Sequence, residues 1–542
     1  MERNVTRGLV VDLFNRSIFK GEIQFKNGVI EKIVDARNVP DVYILPGLID
    51  AHIHVESSMS TPGSFAAAAV SRGTTGVVSD PHEIANVLGI GGIRLMIDDG
   101  KKVPMKFWFG APSCVPATPL ESSGAVIGSG EIKTILSWPE IKYLAEMMNF
   151  PGVINGDGEV MRKLKAAGEA GKKVDGHAPG LKGKDIEKYV GAGISTDHEC
   201  STLDEAIEKI SLGMKVLIRE GSAARNLDAL KSLLKTHPDM VMLCSDDLHP
   251  EMLRERHLDK IVARLVNEDY DLFDVLRACT VNPAGHYGLE AGLLREGDPA
   301  DFIVVDNPSS MNVLETWIDG RKVFDRGKIL FNYPGCEHKN NFNSSPVNTK
   351  DIELEVSGNN ARVIRIIDGD LFTVAETIST TRGGLFISDI STDLLKLVVK
   401  ERYTDAKPTV GLIKGTGLRL GAFASSIAHD SHNIICTGTN DEDIAAAINE
   451  VVRIKGGLAV AAGGDIRSLC LPVGGIMTDA PVEETARVYQ ELSLILKEMG
   501  CMLSAPFMTL SFMALIVIPE LKLSDKGLFD VTSFRHVPVF FD

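Results

Sequence analysis

The sequence predicts an α/β fold: a (β/α)8 TIM-type barrel with a discontinuous small β domain and an additional C-terminal α/β domain. Three observations predict it. The 542 residues are too many for one hydrophobic core. Eight short apolar runs alternate with amphipathic helical patterns through the first half of the chain. Strand-like alternation precedes and follows those runs.

The small β domain is predicted from residues 1–41 and 290–336. Apolar and polar residues alternate in GEIQFKNGVIEKIVD, with Asn27-Gly28 as a hairpin turn. The same alternation returns in GLLREGDPADFIVVD and TWIDGRKVFDRGKIL, with Asp319-Gly320 as a second turn. We expect these two segments to join in one sheet.

The barrel is predicted over residues 42–289 from eight strand runs, each followed by a connection or a helix. The runs are Val42–Leu45, Gly76–Ser79, Lys106–Phe109, Tyr143–Ala145, Lys173–Asp175, Ile194–Thr196, Lys215–Ile218 and Met240–Cys244. The helical stretches include Glu83–Lys101, Glu159–Ala170, Leu203–Leu212 and Arg225–Lys235. The Pro-, Ser- and Gly-rich connection Ala111–Ser137 suits an entrance loop or lid. A polar linker, Glu337–Lys350, precedes the third unit at 347–542.

Composition narrows the possible partners. The net charge of −16 disfavours nucleic-acid binding. Eight scattered cysteines, with no Cys-x-x-Cys pair, are typical of reduced intracellular thiols. No apolar run is long enough to span a membrane, and no signal peptide is evident. We therefore expect a cytoplasmic protein. We also expect a small-molecule substrate and a homo-oligomer, a dimer or larger, although composition decides neither.

The strongest chemical signal is LPGLIDAHIHVE. His52 and His54 lie two apart at the end of the first barrel strand, so their imidazoles point the same way. Active sites of this barrel lie at the carboxyl ends of the strands. The other strand ends supply further metal-type side chains: Glu146, His177, His198 and Asp246.

Six such ligands are too many for one tetrahedral ion, so a two-metal site is predicted. In it His52, His54 and Asp246 hold one divalent ion, His177 and His198 hold the other, and Glu146 bridges them. Two metals lower the pKa of a shared water to about 7. Asp246 could accept its proton and pass it to the leaving group.

Several assignments stay open at this stage. Glu159 is the rival of Glu146 for the bridging position. Asp247 is expected to cap the following helix. His82 and Glu83 end strand two, and Arg219, Glu220 and Ser222 end strand seven. We expect His82, Glu83, Arg219 and Ser222 to contact the substrate. His429, Asp430 and His432 form a second metal site, reach the active site, or make a polar turn.

The motif PGLIDAHIHVESS, with the later histidines and Asp246, resembles the amidohydrolase superfamily. Within it DPHEIANVLG, LAEMMNFPGV, REGSAARN and HDSHN are similar to the adenine deaminase family, over nearly the whole chain. The resemblance implies hydrolysis of adenine to hypoxanthine and ammonia in purine salvage, by attack of metal-activated water at C6. It favours manganese or iron over zinc. It also favours Glu146 as the bridge, where many relatives carry a carboxylated lysine.

Two alternative functions remain. A cyclic-amide hydrolase of the dihydroorotase or hydantoinase kind would need a lysine at the end of strand four, where Glu146 stands. A non-catalytic purine- or metal-binding protein on the same scaffold would not need all six metal-type residues.

Overall fold

A computed structural model describes residues 4–222 and 225–542 of the chain. Its first four strands are β1 (Asn4–Asp12), β2 (Ser17–Lys26), β3 (Val29–Asp35) and β4 (Tyr43–Pro46). Strand β2 pairs antiparallel with β1 on one side and with β3 on the other. Strands β2 and β3 flank the predicted Asn27-Gly28 turn. Strand β4 lies parallel to β1 on its other side.

Eight parallel strands follow. They are β5 (Leu48–Ile53), β6 (Thr74–Ser79), β7 (Lys106–Ala111), β8 (Ile141–Met147), β9 (Lys173–Gly176), β10 (Thr196–Asp197), β11 (Lys215–Arg219) and β12 (Val241–Cys244). Strands β5 to β9 form one sheet and β10 to β12 another. Parallel bridges between Val174 and Ile194, and between Ile53 and Asp246, join the two sheets at both edges. All eight carboxyl ends therefore face one mouth.

The structure corrects the predicted first barrel strand. Val42–Leu45 falls on β4, which pairs with strands of the small sheet. The first strand of the parallel set is instead Leu48–Ile53. A short apolar run indicates a buried strand but does not specify which sheet it joins, because that depends on partners distant in sequence.

Helices occupy the strand-to-strand connections. They are α1 (Pro62–Ser71), α2 (His82–Leu88), α3 (Ile90–Gly100), α4 (Ser129–Leu136), α5 (Phe150–Asn155), α6 (Gly158–Glu169), α7 (Gly183–Gly191), α8 (Leu203–Ser211), α9 (Leu227–Leu230), α10 (Leu233–Thr236), α11 (Pro250–Glu255), α12 (Leu258–Asn267), α13 (Leu272–Ala278) and α14 (Val281–Tyr287). The predicted helix Glu83–Lys101 is divided at Gly89, whose φ of +59° suits glycine. The last predicted helix, Arg225–Lys235, is represented by two short ones.

The chain then returns to the first sheet. Strands β13 (Phe302–Val305), β14 (Val313–Ile318), β15 (Arg321–Asp325) and β16 (Lys328–Ile329) extend it in the order β16-β15-β14-β13-β4-β1-β2-β3. The two predicted halves of the small β domain thus share one eight-stranded sheet. Strands β14 and β15 flank the predicted Asp319-Gly320 turn.

The C-terminal part contains two further sheets. Its strands are β17 (Asn360–Ile366), β18 (Thr373–Ser379), β19 (Leu395–Lys400), β20 (Thr409–Lys414), β21 (Ala422–Ser425), β22 (Ile434–Gly438), β23 (Gly457–Ala462), β24 (Asp465–Cys470), β25 (Leu521–Ser524), β26 (Gly527–Asp530), β27 (Arg535–His536) and β28 (Phe540–Phe541). Its helices are α15 (Asp441–Arg453), α16 (Val482–Glu498) and α17 (Pro506–Phe512). Strands β17 to β24 and β28 form the larger sheet, and β25 to β27 the smaller.

The barrel and the C-terminal part share a continuous apolar core. One buried cluster includes Phe65 of α1 together with Phe423 and Phe507 of the C-terminal part. His249 Nδ1 also lies 2.8 Å from the Tyr489 hydroxyl across this contact. The C-terminal part is therefore held against the barrel by core packing. Among the described residues, no helix combines the length and hydropathy needed to cross a bilayer.

Candidate active site

The His-x-His pair lies buried at the end of β5, as its spacing requires. The Nε2 atoms of His52 and His54 lie 3.4 Å and 3.3 Å from the same Asp246 oxygen, Oδ1. Neither ring nitrogen of the fully buried His52 has a hydrogen bond within the described residues. Unpaired buried nitrogens are costly, and a metal ion would satisfy them. The donor set therefore fits a divalent metal.

Glu146, at the end of β8, lies between two sets of histidines. Its Oε1 is 3.3 Å from His54 Nε2, while its Oε2 is 2.9 Å from His177 Nδ1 and 3.2 Å from His198 Nε2. Burial would raise the pKa of this carboxyl, but the three histidine contacts hold it well below its usual range. The ionised carboxylate thus faces one histidine set with each oxygen, as a bridging ligand would.

Asp246 follows β12 in the left-handed region, with a φ of +57°. Its backbone is held there by hydrogen bonds, since its N–H donates to the His52 carbonyl and its carbonyl accepts from the His54 N–H. Such strain is maintained only where surrounding structure fixes the residue. Arg219 donates to Asp246 Oδ2 at 2.7 Å. Against the effect of burial, Arg219 and the two histidines hold the pKa of Asp246 well below its usual range.

Arg219 lines the cavity and is paired with two acidic groups. Besides Asp246, its guanidinium pairs with both carboxylate oxygens of Glu199. Its side chain is buried, and the two carboxylates raise its pKa further despite burial. Arg219 therefore fixes two acidic groups of the cavity, and its contact with substrate stays a prediction.

Glu199 was missed from the sequence. Its Oε1 lies 3.2 Å from His198 Nε2 and 3.5 Å from His177 Nδ1, so it could share a metal with them. Strand alternation would place it on the opposite face from His198. However, β10 ends at Asp197, and His198 and Glu199 lie in irregular backbone where that alternation no longer holds.

The end of β6 adds a second cluster. His82 begins α2 and its Nδ1 lies 3.0 Å from Asp80 Oδ2, while Glu83 Oε1 lies 2.8 Å from the Ser57 hydroxyl. That hydroxyl also lies 2.6 Å from Asp247 Oδ1. Burial raises the pKa of Glu83. Since a hydroxyl carries one proton, a protonated Glu83 would donate to Ser57 and Ser57 to Asp247.

The structure places three of the candidate residues differently from what the sequence led us to expect. Asp247 does not cap a helix, because the cap residue of α11 is His249 and Asp247 lines the cavity. Ser222 lies outside the cavity lining, and its hydroxyl accepts the His249 N–H. Glu159 lies on α6, where it contacts Ser129 and Arg162 with 42% of its side chain exposed, far too open for a bridging ligand.

The C-terminal part supplies the roof of the cavity. We use "roof" for the lining residues that lie beyond the barrel: Leu371, His429, Asp430, Phe512, Leu515, Val517 and Ile518. The rings of His429 and Phe512 stack at 4.8 Å and 17°. His429 and Asp430 line the same cavity as the barrel side chains, and His429 also lies in a group with Glu83 and Asp247 that could hold a metal. His432 is fully buried and does not line the cavity.

Comparison with known proteins identifies the family. Residues 43–323 match the Amidohydrolase family, and residues 370–535 match the adenine deaminase C-terminal domain. The chain is 50% identical to adenine deaminase of Methanosarcina mazei, over 99% of both chains. It is 50% identical to that of Methanosarcina barkeri, over 98% of this chain and 99% of the relative. It is 49% identical to that of Salinibacter ruber, over 99% of this chain and 98% of the relative.

The amidohydrolase match implies a TIM-type (β/α)8 fold, in accord with the ring of parallel strands, and a divalent metal, in accord with the clustered ligands. The full-length similarity is stronger than either match alone, because it includes both the barrel and the roof. This chain belongs to the adenine deaminase family of the amidohydrolases.

Proposed function

We propose that this protein hydrolyses adenine to hypoxanthine and ammonia. The observation that carries the proposal is the set of histidines and carboxylates converging at one barrel mouth, in a chain half identical to adenine deaminases along its whole length. The same relatives favour this reaction over the cyclic-amide and non-catalytic alternatives. Glu146 at the end of β8, the fourth strand of the barrel, agrees with that choice, because a cyclic-amide hydrolase would need a lysine there.

For the metals, we propose a binuclear site in which Glu146 is shared. His52, His54 and Asp246 would hold one ion and His177 and His198 the other, with Glu199 as an additional candidate ligand of the second. When bound, two divalent ions would lower the pKa of a water and so supply the nucleophile at neutral pH. Imidazole and carboxylate ligands suit manganese, iron and zinc, and metal availability often decides which is bound; we favour manganese or iron.

Asp246 is the proposed proton carrier. It would accept the proton of the attacking water and deliver it to the exocyclic amine, which leaves as ammonia. Its contact with Arg219 keeps the carboxylate ionised and oriented for the first of these transfers. Arg219 is therefore a positioning residue in this scheme.

His82 and Glu83 are the proposed contacts to the purine edge. Both are buried and line the cavity. The charge of Asp80 outweighs burial and the nearby His54 and raises the pKa of His82 to about 10, so His82 carries donors at neutral pH. A protonated Glu83 would give its one proton to Ser57, which leaves its Oε2, without a hydrogen-bond partner among the described residues, as an acceptor. A donor from His82 and an acceptor from Glu83 suit a purine edge that carries both a ring nitrogen and an amine.

At the level of organisation, we propose three units: a discontinuous β domain, the barrel, and a C-terminal α/β domain that completes the site. We also propose that the protein assembles as a dimer or larger homo-oligomer. Light scattering of the purified protein tests the assembly, and a monomer at working concentration would contradict it.

Ammonia release from adenine by metal-supplemented protein is the test of the activity. Adenosine and dihydroorotate serve as parallel substrates. Turnover of adenine alone is the expected result. Hydrolysis of dihydroorotate without any adenine turnover would be consistent with the proposed metal site but would contradict the proposed adenine deamination.

A further inference from the structure

Asp430, in the roof, is a buried carboxylate with an unused acceptor. The residue is 4% exposed and lines the cavity. Its Oδ1 lies 3.4 Å from His429 Nδ1 and 3.9 Å from His82 Nε2. Its other oxygen, Oδ2, has no hydrogen-bond partner among residues 4–222 and 225–542. A buried acceptor without a donor is costly, so a ligand N–H would be bound favourably there.

The surroundings keep this carboxylate ionised. Burial alone would raise the pKa of Asp430, but the contact with His429 and the charge of His82 hold it below its usual value. An ionised carboxylate only accepts hydrogen bonds, and its bonds to N–H donors are about twice as strong as neutral ones. The group facing Asp430 Oδ2 in the complex should therefore be a donor.

We use "floor" for the cavity-lining residues that belong to the barrel. The position of Asp430 relative to the floor indicates which donor it meets. His82 separates it from Glu146, since His82 Nδ1 lies 3.4 Å from Glu146 Oε1 and His82 Nε2 lies on the side of Asp430. Adenine has two donor groups, the exocyclic amine and one imidazole N–H. Because the amine is at the reacting carbon and must face the metal ligands, the imidazole N–H is the donor left to face the roof.

We propose that Asp430 accepts a hydrogen bond from the imidazole N–H of the purine and thereby selects free bases over nucleosides and other N9-substituted purines. The inference rests on the proposed adenine deamination. An N9 substituent removes the N–H whichever nitrogen carries it, and leaves Asp430 buried without a donor. Sites built to bind a substrate N–H reject analogues that lack it by far more than apolar pockets reject an extra methyl group.

The test compares adenine with 9-methyladenine, the smallest substrate without an imidazole N–H. Asp430→Ala should lower kcat/KM for adenine by about 10- to 100-fold, the range for a lost charged hydrogen bond, while 9-methyladenine is unchanged or improved. The preference for adenine should therefore collapse. Asp430→Asn, which keeps an acceptor oxygen without the charge, should give an intermediate loss and carries the test if the alanine variant fails to fold.

Asp525→Ala is the matched control, because Asp525 is in the same C-terminal part and bonds the Ser122 N–H outside the cavity. It should leave the preference for adenine over 9-methyladenine intact.

If Asp430 acted only by orienting His82, both substrates would lose activity equally and the proposal would be overturned. Wild-type protein inactive on adenine would refute the proposed function itself, whereas active wild type with an unchanged preference in both Asp430 variants would refute this inference alone.

Discussion

The floor and the roof of the cavity are chemically opposite. The barrel strand ends present imidazoles, carboxylates and one arginine, whereas the described roof residues are mainly aliphatic and aromatic, with one acid and one histidine. Polar groups on the floor are fixed by one another, as Arg219 fixes Asp246 and Glu199. The roof is fixed instead by the apolar core that it shares with the barrel. Under the proposed function, the metal-type side chains of the floor perform the chemistry, and the roof recognises the base together with His82 and Glu83 of the floor.

Removal of the metal should have the largest effect, because it disables the floor as a whole. After dialysis against a chelator, deamination should fall to background, since no side chain alone supplies the nucleophile. Manganese or iron should restore more activity than zinc. Ammonia release, measured beside metal content, checks this. Full activity in metal-free protein would contradict the assignment of the chemistry to metal ions held by the floor.

Asp246→Asn should have the next largest effect. The amide preserves shape but cannot accept and return a proton, so kcat should fall about 10²- to 10⁴-fold. The KM for adenine should change much less, because the roof is untouched. Steady-state kinetics with metal analysis separates lost chemistry from lost metal. Near-normal kcat at full metal content would remove Asp246 from its role.

Phe512→Leu tests the roof, and we expect it to have a smaller effect than Asp246→Asn and to change KM rather than kcat. Loss of an aromatic face costs about 0.5–1.5 kcal/mol, so KM for adenine should rise up to about tenfold while kcat stays within about threefold. Phe507→Leu is the control, because Phe507 lies on the same helix α17 and packs on Phe423 away from the cavity. A fall in kcat in the Phe512 variant with constant KM would contradict the assignment of substrate binding, rather than chemistry, to the roof.

Glu159→Gln should have the smallest effect. Its side chain is 42% exposed and lies outside the cavity. We expect activity within about twofold of wild type and stability within about 0.5 kcal/mol, as for other exposed sites. Thermal unfolding and the adenine assay check both. An order-of-magnitude loss of activity would reopen the choice between Glu146 and Glu159 as bridging residue.

Much of the floor could be predicted because it follows local rules. His52 and His54 were found from strand alternation, and Glu146, His177, His198 and Asp246 from their places after successive apolar runs. In a parallel barrel, such positions meet at one mouth whatever the details of packing. The prediction fails where regular backbone ends, as at Glu199, or where the partner of an acid is distant in the sequence, as Ser57 is for Asp247.

The sequence by itself determined the alternation of strands and helices, the residues at the strand ends and the family to which the chain belongs. Only the tertiary structure decided that residues 43–46 join the small sheet, that Arg219 pairs with Asp246 and Glu199, and that Asp430 faces the barrel mouth. The physical reason is range. Periodicity and strand direction are set by neighbouring residues, whereas sheet partners, buried ion pairs and the contact of the roof with the floor depend on packing between segments far apart in the chain.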